Sequence, residues 1–179
     1  YMMHQRMGFY VAPDDRLLIL AFYAHAEDPF EKGGIGRVVR EAYRDGSFGP
    51  IYFIRYSSHT KWDASNTAYP LYRDSPDKGF VEACEALLAD KLRTLQWWEE
   101  DQGLDGFYGA VKGASAFNWY PRKDGKIVGL WKRSTFALSE DGGKTFSDPV
   151  KVPTLIMAGG KQWGQRTDDG RYAILYNPT

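Results

Sequence analysis

One cysteine, Cys84, stands in 179 residues, so the chain has no internal disulfide and no multi-cysteine metal cluster. Histidine is nearly as scarce, at three. Neither sign of charge is in excess: Lys plus Arg and Asp plus Glu number 23 each. That balance supplies no field to draw in nucleic acid or an anionic membrane surface. No apolar run approaches the roughly 18 residues that a membrane span needs. Nucleic acid and membrane insertion are therefore not expected among its partners. The opening YMMHQRMGFYVAP has no charged n-region and no apolar h-region, and it reads as a strand in progress. The closing RYAILYNPT stops straight after a strand. The expectation is a piece of a longer protein.

What is present is a composition able to build a packed core, 43% hydrophobic and 26% charged, with aromatics at 16%. Disorder is excluded. Three segments repeat one pattern, a Pro/Asp/Gly turn followed by an apolar strand: APDDRLLIL (12–20), PRKDGKIVGL (121–130) and TDDGRYAIL (167–175). Aligned on Leu20, Leu130 and Leu175, they are spaced by 110 and 45 residues. About 45 residues is the length of a four-stranded propeller blade, and the longer gap would hold two blades and about 20 residues of insertion. Ser75-Pro76 predicts an N-cap and first-turn proline. Phe80, Cys84, Leu87, Leu88, Leu92 and Leu95 then recur at helical spacing up to Trp97-Trp98, giving one helical insertion over 75–102 inside a single partial domain spanning 1–179. The Leu stripe and Cys84 read as core packing. A second repeat relates REAYRDGSFGPIYFIRY (40–56) to FALSEDGGKTFSDPVKV (136–152), the first copy being degenerate. Short strands between turn clusters favour a radial or sandwich β architecture.

The segment SEDGGKTF places Ser139, Asp141, Gly143, Thr145 and Phe146 at the offsets S-x-D-x-G-x-T-F. A carboxylate there can accept backbone N–H groups of its own turn, Gly143 can take positive φ, and Phe146 can bury its ring under the loop. These residues resemble the Asp-box, or BNR repeat, of the sialidase superfamily. The resemblance implies an all-β, sialidase-like β-propeller with about four blades present out of six or seven. It also implies a structural role for the box at the outer edge of a blade. Among such propellers the chain looks most like bacterial polysaccharide-degrading members of ulvan-lyase-like or rhamnosidase-like type. An exported protein, secreted or periplasmic, is implied as well. The Arg-Ile-Pro segment of true sialidases does not occur in this sequence.

In such a fold the first strand of each blade lines the central channel. Its polar residues are then the candidates: His4, Gln5 and Arg6, then Asn118, then Gln162, Gln165 and Arg166. His4 lies ten or eleven residues before the Asp14-Asp15 turn and His25 ten or eleven after it, so the two are expected as cross-strand neighbours at one rim. A base near neutral pH, an acid and a cation suit elimination from a uronate. His4 and His25 are the acid–base candidates, with Tyr108 as phenolic donor and Arg122 as carboxylate partner. Trp119 and Trp163 can stack on sugar rings or pack between blades. Two histidines without a third ligand nearby do not make a zinc site, and His59 is unplaced, so neither metal nor cofactor is expected. The expected activity is cleavage of glycosidic bonds in a uronate- or rhamnose-containing carbohydrate, by hydrolysis or elimination. A non-catalytic glycan-binding propeller and an exo-sialidase are the alternatives.

Overall fold

The three turn clusters each close a hairpin with the same backbone bond: Ala12 N–H donates to Arg16 O (2.9 Å), Arg122 N–H to Lys126 O (2.7 Å) and Thr167 N–H to Arg171 O (2.9 Å). The reversal needs a left-handed residue, supplied by Gly125 (φ 84°), Gly170 (φ 81°) and, in the first turn, Asp15 (φ 65°). Aspartate is among the few residues with a side chain that tolerate this region. The computed structural model describes residues 2–25, 34–57, 61–100, 116–155 and 159–178. They fall into two units, Tyr1–Asp90 and Lys91–Thr179.

In the first unit, β1 (Met2–Val11), β2 (Leu17–His25), β3 (Gly34–Ala42) and β4 (Tyr52–Tyr56) form an antiparallel sheet in chain order. Strand β2 is buried almost continuously from Leu18 to Ala24, as a central strand covered on both faces must be. Ala21, Tyr23, Ile35, Val38 and Phe53 form one core cluster, with Trp62, Tyr69 and Leu71 packed against it. After a 3-10 turn at Tyr72–Asp74 comes α1 (Lys78–Ala89). Its N-cap is Asp77, whose carboxylate accepts the Phe80 N–H at 3.1 Å. Ser75, the expected cap, instead accepts the Asp77 N–H at 3.3 Å. The choice of Asp77 is reinforced from the sheet. Arg16 bonds Asp14 (2.9 Å), Glu41 (2.6 Å) and Asp77 (2.8 Å), so the first hairpin turn is tied to β3 and to the start of α1. A Cβ on Gly79 would stand 2.7 Å from Arg16 Nη2. Cys84 and Leu87 are fully buried, and burial pushes the Cys84 thiol up to about 12, which makes it an inert packing group. The helix breaks at Asp90 (φ −81°, ψ 89°).

In the second unit α2 (Lys91–Glu100) precedes β5 (Asn118–Pro121), β6 (Ile127–Trp131), β7 (Thr135–Ser139) and β8 (Val150–Lys151), again a four-stranded antiparallel meander. The hairpin β9 (Gln162–Arg166) and β10 (Tyr172–Tyr176) follows. Leu95, Phe117, Trp131 and Ala137 form its core cluster, with Leu92, Trp119 and Phe146 against them. Leu20, Leu130 and Leu175, the residues on which the repeat was aligned, all lie in the second strand of their sheets. Among the described residues there are two four-stranded sheets and one hairpin, and α1 and α2 occupy the stretch expected as one helical insertion, as two helices separated at Asp90.

Candidate functional site

The end of the first sheet remote from its Asp14-Asp15 and Asp45-Gly46 turns is assembled by a short polar loop. Asp63 Oδ1 accepts from Ser65 N–H (2.7 Å) and Ser65 Oγ (2.5 Å), Thr67 Oγ1 donates to Asp63 O (2.8 Å), and Asn66 Nδ2 donates to Lys61 O (3.0 Å). These bonds, led by the Ser65 hydroxyl, hold the Asp63 carboxyl below its usual range. The loop is joined to β4 by the contact of Tyr56 Oη with Thr67 Oγ1 at 3.3 Å. It carries Trp62, half-buried against the core, whose ring lies 5.7 Å from that of His25. An imidazole at a strand end thus sits beside an indole ring. Trp62 was not among the expected site residues. Its signal is the turn chemistry that follows it, Asp63-x-Ser65-Asn66, which folds the tryptophan back onto the sheet.

The β1–β2 register fixes the relative positions of the two histidines, expected as cross-strand neighbours at one rim. His4 lies opposite Tyr23 and His25 opposite Met2, so they occupy diagonal positions two residues apart, a spacing of about 7–8 Å in such ladders. The cause is a bulge between Gln5 and Gly8, where β1 holds one more residue than β2. Gln5 lies opposite Phe22 and Arg6 within the bulge. Tyr108 and His59 lie outside the described residues.

In the second unit, Asn118, Gln162 and Trp163 come together with Lys161, Tyr176 and Asn177 around an open cavity of about 370 Å³. Two of the expected sugar contacts are engaged with the backbone. Asn118 Oδ1 accepts from Gly164 N–H (3.2 Å), and Gln162 Nε2 donates to Trp131 O (2.6 Å) and Thr135 O (3.2 Å). Both amides therefore staple the β9–β10 hairpin onto the β5–β8 sheet. Gln162 is 3% exposed, and its Oε1 has no donor among the described residues. Trp119 packs against the core with the Arg93 guanidinium 5.4 Å over its ring, and Trp163 is exposed. Gln165 and Arg166 lie on the exposed part of β9 toward its turn.

Arg122 is placed otherwise than expected. It opens the β5–β6 turn, at the far end of β5 from Asn118, and its Nη2 pairs with Asp124 at 2.9 Å. With Tyr120, Lys123 and Tyr172 it borders a separate depression. Tyr172 Oη accepts the Lys123 N–H (2.7 Å), and burial followed by the neighbouring Tyr172 raises the Tyr120 phenol. A turn residue paired to its own turn is a hairpin feature, and its position corresponds to Ala12 in the first sheet, at the opposite end of that hairpin from His25.

The Ser139–Phe146 loop connects the third and fourth strands of its sheet. Asp141 Oδ1 accepts from Lys144 N–H and Thr145 N–H (2.9 Å each) and from Ser139 Oγ (2.8 Å), while Oδ2 accepts from Thr145 Oγ1 (2.6 Å). These donors, the Thr145 hydroxyl foremost, hold the carboxyl far below the usual range. Ser139 Oγ in turn accepts the buried Gly143 N–H at 2.8 Å. Gly143 has φ 90°, and a Cβ on it would stand 2.2 Å from Leu92 Cδ2 of α2. Phe146 meets Trp131 edge-on at 5.4 Å and Phe117 at 5.8 Å. Every one of the five residues is occupied in folding the loop down onto the core.

Comparison with known proteins follows this architecture. No curated protein matches the chain. Among solved structures, a chain titled "Sialidase" is similar at 43% identity and a TM-score of 0.86 over 99% of this chain, which spans 16% of that chain's length. Residues 1–114 match the family described as BT_1020-like, N-terminal beta propeller. With most of its length matched and two four-stranded meanders in its fold, the chain belongs to the BT_1020-like N-terminal β-propeller family and forms part of an all-β, sialidase-like propeller.

Proposed function

We propose that the chain is part of a carbohydrate-active propeller that cleaves glycosidic bonds, by hydrolysis in preference to elimination, next to a sugar that carries a carboxylate. The observation that carries this reading is the 43% identity, over 99% of the chain, to a solved chain titled a sialidase. The site assigned to the chemistry is the remote end of the first sheet. His25 supplies an imidazole, the side chain most often used as general acid or base, and Trp62 beside it supplies a ring on which a pyranose can stack. His4, at the diagonal position of the ladder, is the second acid–base candidate. Arg6, one residue beyond Gln5 on the same strand, is the candidate for the substrate carboxylate. A protein acting on such glycans works outside the cytoplasm, so export is part of this reading.

The test is an incubation with sialosides and with uronate polysaccharides, following reducing ends and absorbance near 235 nm together. New reducing ends without absorbance support hydrolysis. An absorbance rise indicates an unsaturated uronate and assigns elimination. Glycan binding with neither signal makes the propeller a binding module. Replacement of His25 by alanine is expected to lower turnover by about 10²-fold, the scale of losing one acid–base group, with the melting temperature little changed. An unchanged rate removes His25 from the chemistry.

A further inference from the structure

The three hairpin turns of the repeat are internal controls on one another. Each carries an aspartate whose Oδ1 accepts the N–H two residues on, at Asp14 (3.4 Å), Asp124 (3.3 Å) and Asp169 (3.3 Å). Each also has its left-handed residue and its closing backbone bond. Those groups suffice to make the turn. The side chains at the two positions before the aspartate are left free to vary, and they do: Ala12-Pro13, Arg122-Lys123 and Thr167-Asp168. Only the middle turn carries two cations there. A second departure from the repeat falls on the first residue of the returning strand, Leu17 and Ile127 in the first two copies but Tyr172 in the third. Folding brings these two departures together. Tyr172 Oη accepts the Lys123 N–H at 2.7 Å, which pins its ring 5.3 Å from that of Tyr120 at an interplanar angle of 44°.

We infer that the depression bordered by Tyr120, Arg122, Lys123 and Tyr172 is a second glycan-binding site, built from residues other than those assigned to cleavage, which holds an acidic pyranose without cutting it. The two rings, the buried Val128 and the Arg122–Asp124 turn enclose about 530 Å³, within the size range of small-ligand sites. Tyr172 keeps 42% of its surface exposed, so one ring face is open to a sugar. Its hydroxyl is already engaged with the turn, so little ordering is left for binding to impose. Arg122 is paired with Asp124, whereas Lys123 has no ion pair among the described residues. An ammonium beside an open ring suits a sugar that stacks through its C–H face and carries a carboxylate at its edge. The inference takes its ligand class from the carbohydrate reading above and its position from the geometry of the turn.

The test is an amide NMR titration of the 179-residue chain with trigalacturonate, with its neutral counterpart galactotriose, and with inorganic sulfate. The Lys123 amide reports directly, because its N–H is the one bonded to Tyr172 Oη. Trigalacturonate is expected to shift the Lys123, Gly125 and Tyr172 amides saturably, galactotriose to bind there more weakly, and sulfate to leave them unsaturated. Followed at Gly125, Tyr172→Ala is expected to weaken trigalacturonate by about tenfold, and Tyr172→Phe, which keeps the ring, to retain most of the affinity. Lys123→Gln, a change at an exposed turn, is expected to cost about threefold at low salt and little at high salt. Sulfate shifting the turn as trigalacturonate does reduces the site to its charges and overturns the inference. Shifts confined to residues around His25 and Trp62 also overturn it and leave the cleavage reading standing. An unmoved Lys123 amide overturns it whatever the reducing-end assay shows, so the two readings fail separately.

Discussion

Ser139→Ala removes one oxygen from the Ser139–Phe146 loop, and the structure permits its cost to be worked bond by bond. The Ser139 side chain is 1% exposed. Its hydroxyl donates to Asp141 Oδ1 at 2.8 Å, and accepts the Gly143 N–H at 2.8 Å and the Asp141 N–H at 3.4 Å. Alanine deletes the first bond at little cost, because Asp141 keeps the Lys144 and Thr145 donors. The second loss dominates, since the Gly143 N–H is then left buried without an acceptor. A buried donor left without an acceptor costs about 1–3 kcal/mol, equivalent to a fall in melting temperature of roughly 2–12 °C for a chain of this size. Ser147→Ala is the matched control. Ser147 Oγ also accepts a backbone N–H, that of Leu138 at 3.1 Å, but at an exposed position where water replaces it, so the change should stay within about 0.5 kcal/mol. Thermal and urea melts of the two variants beside the parent decide the matter. Equal melts for Ser139→Ala and the parent, or an equal fall in Ser147→Ala, would refute the buried-donor argument.

The remaining predictions concern the same chain. Gly143→Ala combines left-handed backbone strain, about 1–3 kcal/mol, with a collision at Leu92, whereas Gly142→Ala at φ 75° meets nothing within 4 Å; the first should therefore melt several degrees below the second, and equal melts would show that α2 does not press on the loop. Asp141, Asp63, Asp45 and Asp169 all have carboxyls lowered in the folded state by hydrogen-bond donors of their own turns. A lowered folded value means that the unfolded chain binds protons first, so their contribution is full above the unfolded value of about 4 and is lost as pH falls through the folded values. Melts between pH 7 and 2 should show the loss beginning below about pH 4, and Asp141→Asn should flatten it. Gln162→Leu leaves Trp131 O and Thr135 O without their side-chain donor and should destabilise by about 1–3 kcal/mol with glycan affinity unchanged; isothermal titration showing lost affinity at constant melting temperature would return Gln162 to the binding site.

Much of this fold was readable because its signals are local. The Asp-rich turns carry their own left-handed residue and their own closing bond, so the hairpins at 12–16, 122–126 and 167–171 follow from a few residues each. The Ser139–Phe146 loop is similar, since its donors lie within a few residues of Asp141. Helix α1 was readable in its apolar stripe but not in its cap. Ser75 and Asp77 are both good N-cap types, and the choice was made by Arg16, 61 residues before Asp77 in the chain. Asn118 and Gln162 show the same limit from the other side. A polar residue at the start of a first strand looks like a channel contact until the neighbouring sheet supplies the backbone groups that engage its amide.

Register is the least local property, and the histidines show why it escapes a count of residues from a turn. The β1–β2 ladder begins from its turn with Val11 opposite Leu17 and Gly8 opposite Leu20. Continued unchanged, it would set His4 opposite Ala24, leaving His4 and His25 at positions of opposite parity, which point to opposite faces of a pleated sheet. The bulge between Gln5 and Gly8 shifts the pairing by one, to His4 opposite Tyr23. One extra residue in β1 thereby converts an odd offset into an even one and gives the two positions like parity. The sequence marks this only weakly, by Gly8 beside the irregularity, because a bulge is chosen by how the whole sheet twists and packs and not by the residues it contains. The acid–base assignment of the histidine pair therefore depends on a backbone irregularity, and deleting Met7 should separate the two positions onto opposite faces. Loss of turnover in that deletion with the melting temperature retained would tie the chemistry to the bulge, whereas full turnover would show that the pairing of His4 with His25 plays no part in it.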